Sequence, residues 1–357
     1  MIKVFFEEIS GVRPAPLAYP FFKNSSAHFE HLPYRKIAQE QMDGDFVERV
    51  DSPQYADYIL IPYIYKELLN KHENYIKKTV ALSQETNKKI IIFAFQDSAK
   101  PIDIPEAIIF RMSSYVSDMN ENEFIMPYVV EDLLKDKEIV CRSLPGRPTV
   151  GFVGWAGFDS LKQKIRSAVK ELFLNIYSII KHQKFLGIRR KGLYLRMEMI
   201  NILKKSAEIN TNFVIRKKFS GHTKNIQKKT VKETRDEYVC NILESDITLA
   251  PRGEGNGSMR FYEVLSLGRI PLLIDTGNKL PLEELVPYER FVITVPYKER
   301  KNVVRYINNF FAGMSDEEYY KRQKEARYYF DRYLSTNAFH AFLFKDEYIK
   351  QIEKQIK

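Results

Sequence analysis

Cysteine is almost missing from this chain: Cys141 and Cys240 are the only two in 357 residues. That excludes a disulfide framework and a cysteine-based metal cluster, and it predicts two reduced, buried thiols. Long apolar runs are missing too. None approaches the ~20 residues that a membrane-spanning helix needs, and the N-terminus has no signal-peptide pattern, so the expectation is a cytoplasmic chain. No Gly-x-x-x-x-Gly-Lys-Ser/Thr is present, which excludes an ATPase phosphate loop. No internal repeat appears. Glycine is sparse, with 15 residues, so its one local cluster stands out.

What is present is ordinary in amount and uneven in place. Hydrophobic residues make up 44% and charged residues 29%, the balance of a globular protein. The length exceeds what one core usually serves, so two domains are expected. The net charge is +10. Residues 1–145 hold 17 Lys and Arg against 22 Asp and Glu, and the remainder holds 39 against 24. A basic half beside an acidic half suits a phosphorylated ligand held by the second half alone. Nucleic acid is not the expected partner, because the basic residues are spread along helices and no nucleic-acid-binding motif appears. A peripheral contact with an anionic membrane stays open.

The first half alternates between strand and helix patterns. Ile2–Phe6, Ala56–Pro62, Lys89–Phe95 and Ala107–Arg111 read as strands, with a helix over Glu67–Ser83. The continuous apolar run at 89–95 predicts a central parallel strand covered on both faces. A long stretch before Tyr34, with Pro14, Pro16, Pro20, His28 and His31, reads as a loop. Residues 132–148 read as a crossover to a second α/β domain. Its strands are expected at Thr149–Val153, Asn212–Arg216, Ile247–Leu249, Ile270–Ile274 and Phe291–Val295. Its helices are expected at Leu161–His182, Gly192–Ser206 and Thr234–Leu243. Ser315-Asp-Glu-Glu318 is a capping box that opens a tyrosine-rich helix to Tyr333, whose aromatic stripe is expected to pack in the core. The polar, basic stretch 217–229 reads as a loop that orders on binding acceptor or membrane.

The glycine cluster lies in Ala250-Pro-Arg-Gly-Glu-Gly-Asn-Gly-Ser-Met-Arg260. A short strand enters a turn holding Gly253, Gly255 and Gly257, and a helix begins at Ser258 and ends at Gly268. The unpaired N–H groups and the dipole of a helix start attract anions, and glycines let a diphosphate approach them. Arg252 and Arg260 can grip phosphate oxygens in pairs, and Glu263 can present a carboxylate to a ribose. A glycine-rich surface turn is the competing reading. Gly-x-Gly-x-Gly matches the dinucleotide fingerprint poorly.

Ala250-Pro-Arg-Gly, Gly257-Ser-Met-Arg-Phe-Tyr-Glu-Val-Leu and Gly268-Arg-Ile-Pro-Leu-Leu-Ile together resemble the exostosin family of glycosyltransferases. The likeness runs from about Pro148 to Pro296 and is thin before that. Val264 stands where that family has alanine, and Arg269 where it has cysteine. The expectation of a cytoplasmic chain departs from the membrane-anchored members of that family and points to a bacterial or viral-type relative. The resemblance implies two Rossmann-like domains facing a cleft, the GT-B fold. The domains would be an acceptor-side domain over 1–140, a donor domain over 148–335 and a C-terminal helix over 336–357 returning to the first.

It also implies inverting transfer of a sugar from a nucleotide-sugar donor, UDP-linked in expectation, to a glycan or glycolipid acceptor. No cofactor or metal would be required, and Asp43-Gly-Asp45 reads as a surface turn rather than a metal site. The donor site would comprise Arg252, Gly253, Gly255, Gly257, Ser258, Arg260 and Glu263. Arg189, after Ile188, would be a third phosphate grip, and Gly154 would belong to a small-residue turn entering the cleft.

An inverting transfer needs a base for the acceptor hydroxyl. Asp97, just past the central strand, is the first candidate, with Glu7 and Glu8 also at a strand end and His28 and His31 second. A turn cap is the competing reading for Asp97. Two other classes remain: a nucleotide- or glycan-binding protein without catalysis, and a basic protein associated with membrane or nucleic acid.

Overall fold

The computed structural model describes residues 1–15, 18, 21–22, 46–95, 101–135, 137–180, 192–217, 230–253 and 255–356; within 170–180 only part of the side chains are included. The chain divides into two compact units, each built on one parallel sheet. The first comprises 1–131, 279–285 and 331–357, and the second 132–278 and 286–330.

In the first unit the strands are β1 (Ile2–Phe5), β2 (Val47–Arg49), β3 (Tyr58–Ile61), β4 (Ile90–Ala94), β5 (Ala107–Arg111) and β6 (Glu123–Ile125). They pair in the order β2-β1-β3-β4-β5-β6, all parallel. Every residue of β4 is buried, as its unbroken apolar run predicts. One face, with Ile90, Ile92 and Ile109, packs under Leu68, Tyr75 and Ile76. Those come from α1 (Tyr65–Lys71) and α2 (Glu73–Thr86). Phe93 and Phe110 stack on each other with centroids 5.1 Å apart and meet His340 and Phe339 of α9 (Thr336–Phe344).

The expected single helix over 67–83 is thus two helices, broken at His72 (φ −139°). Leu68 of α1 and Tyr75 and Ile76 of α2 all belong to the core cluster on this face. Sequence reading missed β2 and β6, which are three residues each and too short to show a period.

The second unit contains β7 (Thr149–Trp155), α3 (Leu161–Ile180), α4 (Gly192–Lys205), β8 (Asn210–Arg216), α5 (Val231–Leu243) and β9 (Ile247–Leu249). It continues with α6 (Met259–Ser266), β10 (Ile270–Asp275), β11 (Ile293–Pro296), α7 (Val303–Phe311) and α8 (Asp316–Tyr329). The order is β11-β10-β9-β7-β8, again all parallel. After α9 the chain adds α10 (Tyr348–Gln355) to the first unit.

Helix α5 starts three residues before the expected Thr234, because Thr230 and Glu233 form a reciprocal capping box. Gly268 ends α6 as anticipated: its φ is +62°, and a Cβ there would meet Ile139 Cδ1 at 2.1 Å. Of the tyrosines in α8, Tyr319 is buried while Tyr328 is 57% exposed, so the expected core stripe is only partly a core stripe. Both cysteines are free, but Cys240 is exposed, which corrects the expectation of two buried thiols.

Candidate functional site

In the second sheet the chain leaves β7 for β8 on one side and reaches β9 on the other. That reversal is the topological switch point, where a crevice opens beyond the carboxyl ends of parallel strands. Gly154 and Trp155 end β7 there, and Ala250 to Ser258 follow β9.

The turn is held internally. Gly253 N–H donates to the Gly257 carbonyl at 2.7 Å, and Arg252 Nε donates to the Gly255 carbonyl at 3.2 Å. Asn256 Oδ1 accepts from Thr276 Oγ1 at 2.5 Å, which ties the turn to the end of β10. Ser258 is the N-cap of α6 in extended conformation, with no side-chain cap bond, and the first turn of α6 carries no acid. The start of the helix thus presents its partial positive charge at the switch point.

Arg260 is turned inward. Its Nη2 donates to the Val153 carbonyl at 2.5 Å and its Nη1 to the Leu249 carbonyl at 3.4 Å. The guanidinium so bridges the carboxyl ends of β7 and β9 while lying 4.3 Å above the Phe152 ring. A Cβ on Gly154 would come within 3.0 Å of Arg260 Nη2, so the small residue keeps that bridge open.

Glu263 is buried, and each oxygen accepts a hydrogen bond: Oε1 from Arg235 at 3.0 Å and Oε2 from the Tyr238 hydroxyl at 2.5 Å. Burial, with the Glu263 charge next, pushes the Tyr238 phenol well above its ordinary range, against the opposing pull of Arg260. Tyr238 therefore stays neutral and keeps the proton that it donates to the Glu263 carboxylate.

Beside the turn lies a cavity of about 380 Å³ lined by Tyr194, Leu195, Glu198, Arg252, Tyr297, Arg300 and Lys301. It sits past the ends of β9 and β11 and against the start of α4. Arg300 is fixed by Glu198, with Nε 3.0 and 3.1 Å from its two oxygens, and lies 4.2 Å over the Tyr297 ring. Lys301 is exposed. The floor is backbone packed on backbone: a Cβ on Gly192 would meet the Arg252 and Gly253 carbonyl oxygens at 2.2 and 2.5 Å. Arg196 donates to the Arg252 carbonyl at 3.2 Å. A larger cavity of about 520 Å³, bordered by Glu289, Thr294, Tyr306 and Arg322, lies at the opposite, amino end of β11.

The structure thus brings together Gly154, Arg252, Gly253, Gly255, Gly257, Ser258, Arg260 and Glu263. Asp97, Arg189, His28, His31, Asp43 and Asp45 lie outside the described residues. In the first sheet the switch point falls between β1 and β3. Glu7 and Glu8 follow β1, both are exposed, and Glu8 pairs with Arg49. Among the described residues no group of three or more His, Cys, Asp or Glu side chains is placed to hold a metal ion, and no helix is long and apolar enough to cross a membrane.

Sequence reading missed Tyr194, Glu198, Tyr297, Arg300 and Lys301. The strand-end rule, applied to β11, would have found the last three. Nothing local marks Tyr194.

Two parallel α/β sheets, with a glycine turn and an inward arginine at the switch point of the second, define a two-unit α/β protein. Residues 184–283 match the family model for the RXYLT1 C-terminal domain, a stretch that contains this turn. Among solved structures, a glycosyltransferase from Rickettsia africae ESF-5 is 11% identical, with 90% of this chain and 88% of that chain covered and a TM-score of 0.38. Anabaena Alr3699/HepE, solved in complex with UDP and glucose, is 8% identical, with 99% of each chain covered and a TM-score of 0.36. No curated protein matches in sequence.

Proposed function

We propose that the chain is a glycosyltransferase of the GT-B type that takes a nucleotide-sugar donor, UDP-linked, and transfers the sugar with inversion to a glycan or glycolipid hydroxyl. The observation that carries this reading is the N-terminus of α6 at the switch point, entered through a glycine turn and adjoining a cavity lined by Arg252, Lys301, Tyr194 and Tyr297. The N–H groups and Ser258 suit a diphosphate, and the two aromatic side chains suit a nucleobase.

Arg252 and Lys301 would face the diphosphate, and Arg189 remains a proposed third grip. Arg260 would act by holding β7 and β9 in register and by lending positive charge to the leaving group. Glu263 would present its carboxylate to the ribose. Asp97 remains the proposed base. No metal is needed for this arrangement, because N–H groups and cations take the developing charge. The motifs that resemble exostosins, Ala250 to Ile274, lie within the 184–283 match, which supports the same assignment.

The test is calorimetric titration with UDP, GDP and CMP in the presence of EDTA, on the wild type and on Lys301→Ala. Saturable binding of one nucleotide, weakened about tenfold in the variant as expected for one lost charge-assisted contact, supports the reading. Binding of none of the three overturns it. Binding without any transfer or hydrolysis of the matching nucleotide sugar would leave a nucleotide-binding protein and remove the catalytic part.

A further inference from the structure

Helix α3 carries its apolar residues on the outside. Leu161, Ile165, Val169, Leu172, Phe173 and Ile176 are between 45% and 73% exposed. At 100° per residue they fall within an arc of about 120°. The opposite side of the helix faces the protein: Gln163 and Ser167 are half-buried, and Ser167 Oγ accepts a hydrogen bond from the Tyr194 hydroxyl at 3.0 Å. Six large apolar side chains in one continuous exposed stripe exceed the scattered exposure of an ordinary surface.

The charges beside the stripe indicate what covers it. Lys164 lies on one flank of the arc and Arg166 on the other, Lys162 joins the stripe at its N-terminal end, and all three are exposed. The helix sequence holds Lys162, Lys164, Arg166 and Lys170 against the single acid Glu171. An apolar face bordered by cations is the pattern of a helix that lies in the interfacial plane of an anionic bilayer. A second copy of the chain fits less well, since a two-fold contact through this stripe would set the same cationic flanks against each other.

We propose that α3 docks the second unit on an anionic membrane surface, with the Leu161–Ile176 stripe in the headgroup–acyl boundary and Lys162, Lys164 and Arg166 among the lipid phosphates. The inference does not depend on the donor assignment. It does place Tyr194, which lines the cavity beside the glycine turn, one helix away from the bilayer.

The experiment is co-sedimentation of the full chain with vesicles of phosphatidylcholine alone and of phosphatidylcholine containing about a quarter phosphatidylglycerol, a composition that gives a negative surface potential. The wild type, Leu172→Asp/Phe173→Asp and Lys164→Glu/Arg166→Glu are compared, and Phe173→Trp is followed by fluorescence against the wild-type signal. The expected result is binding to the anionic vesicles only, weakened about tenfold or more in each double variant. The emission of the introduced tryptophan should shift to the blue on binding.

Equal binding by the variants, or none by the wild type, overturns the proposal. So does a collapse of the melting temperature in Leu172→Asp/Phe173→Asp, which would show the stripe to be a core face. A dimer seen by light scattering and abolished by the same variant, without vesicle binding, assigns the stripe to a copy–copy contact instead. Nucleotide titration of the same preparations reads the donor site separately, so that failure of one reading is distinguishable from failure of the other.

Discussion

Gly192 and Arg252 touch backbone to backbone: a Cβ built on Gly192 would stand 2.2 Å from the Arg252 carbonyl oxygen. No side chain can be added there without moving either the start of α4 or the glycine turn, because the opposing atoms are main chain and cannot rotate away. Gly192→Ala should therefore displace the turn. The expected result is a loss of nucleotide affinity of about tenfold or more, with destabilisation of roughly 1–3 kcal/mol, the usual range for overpacking. Calorimetry and thermal melting on the same sample check both. Unchanged affinity would show that the turn does not need its present position to bind.

The buried carboxylate of Glu263 gives a second prediction. With Arg235 on one oxygen and the Tyr238 hydroxyl on the other, Tyr238→Phe removes a donor from a buried charge. Such a loss costs about 1–3 kcal/mol. Urea unfolding of Tyr238→Phe should show that loss. If Glu263 also binds the ribose, Glu263→Gln should lower nucleotide affinity more than Tyr238→Phe does. Equal effects would assign Glu263 to architecture alone.

In the first unit Arg111 and Glu123 form an ion pair with Nη1 and Oε1 2.6 Å apart and both side chains almost wholly buried. Glu123 also accepts from the backbone N–H of Ile102 at 3.0 Å and of Asn120 at 3.3 Å, so the pair fixes β5, β6 and the loops that precede them. Arg111→Leu leaves the carboxylate in the core without its cation, which costs roughly 3–5 kcal/mol. Arg111→Leu/Glu123→Leu should recover much of that, because the uncompensated charge is gone. A double-mutant cycle by denaturant unfolding measures the coupling, and additive losses would contradict it.

The sequence shows most of the scaffold and only part of the site. β4 and β10 are legible because burial on both faces demands an unbroken apolar run, and Gly268 is legible because a left-handed helix end favours glycine. The break at His72 is not, since the apolar spacing of 67–83 continues through it. The glycine turn is visible because its chemistry is local. The cavity beside it is not: Tyr194, Arg252 and Lys301 meet only after three strands have been placed side by side. The contacts of Arg260 with the carbonyls of Val153 and Leu249 are likewise invisible in the spacing, because they exist only once β7 and β9 lie side by side.

The last prediction concerns acid. His340 is buried between Phe93, Phe46 and Phe339, and its ring nitrogen Nδ1 lies 2.7 Å from the Thr336 carbonyl. That carbonyl can only accept, so Nδ1 carries the proton, and Nε2 is buried with no hydrogen-bond partner. Burial therefore holds the imidazole neutral and lowers its pKa from 6.5 to about 4. In the unfolded chain the same residue protonates near pH 6.5. Between those values the unfolded state binds more protons than the folded state, so stability falls as pH drops from 6.5 towards 4. The difference in pKa corresponds to about 3 kcal/mol over the full window. His340→Phe keeps the ring and removes the titration, so its stability should slope less steeply with pH across that window. Denaturant unfolding at pH 7.0, 5.5 and 4.5 measures the slopes, and parallel curves for variant and wild type would show that His340 does not contribute to the acid sensitivity of the first unit.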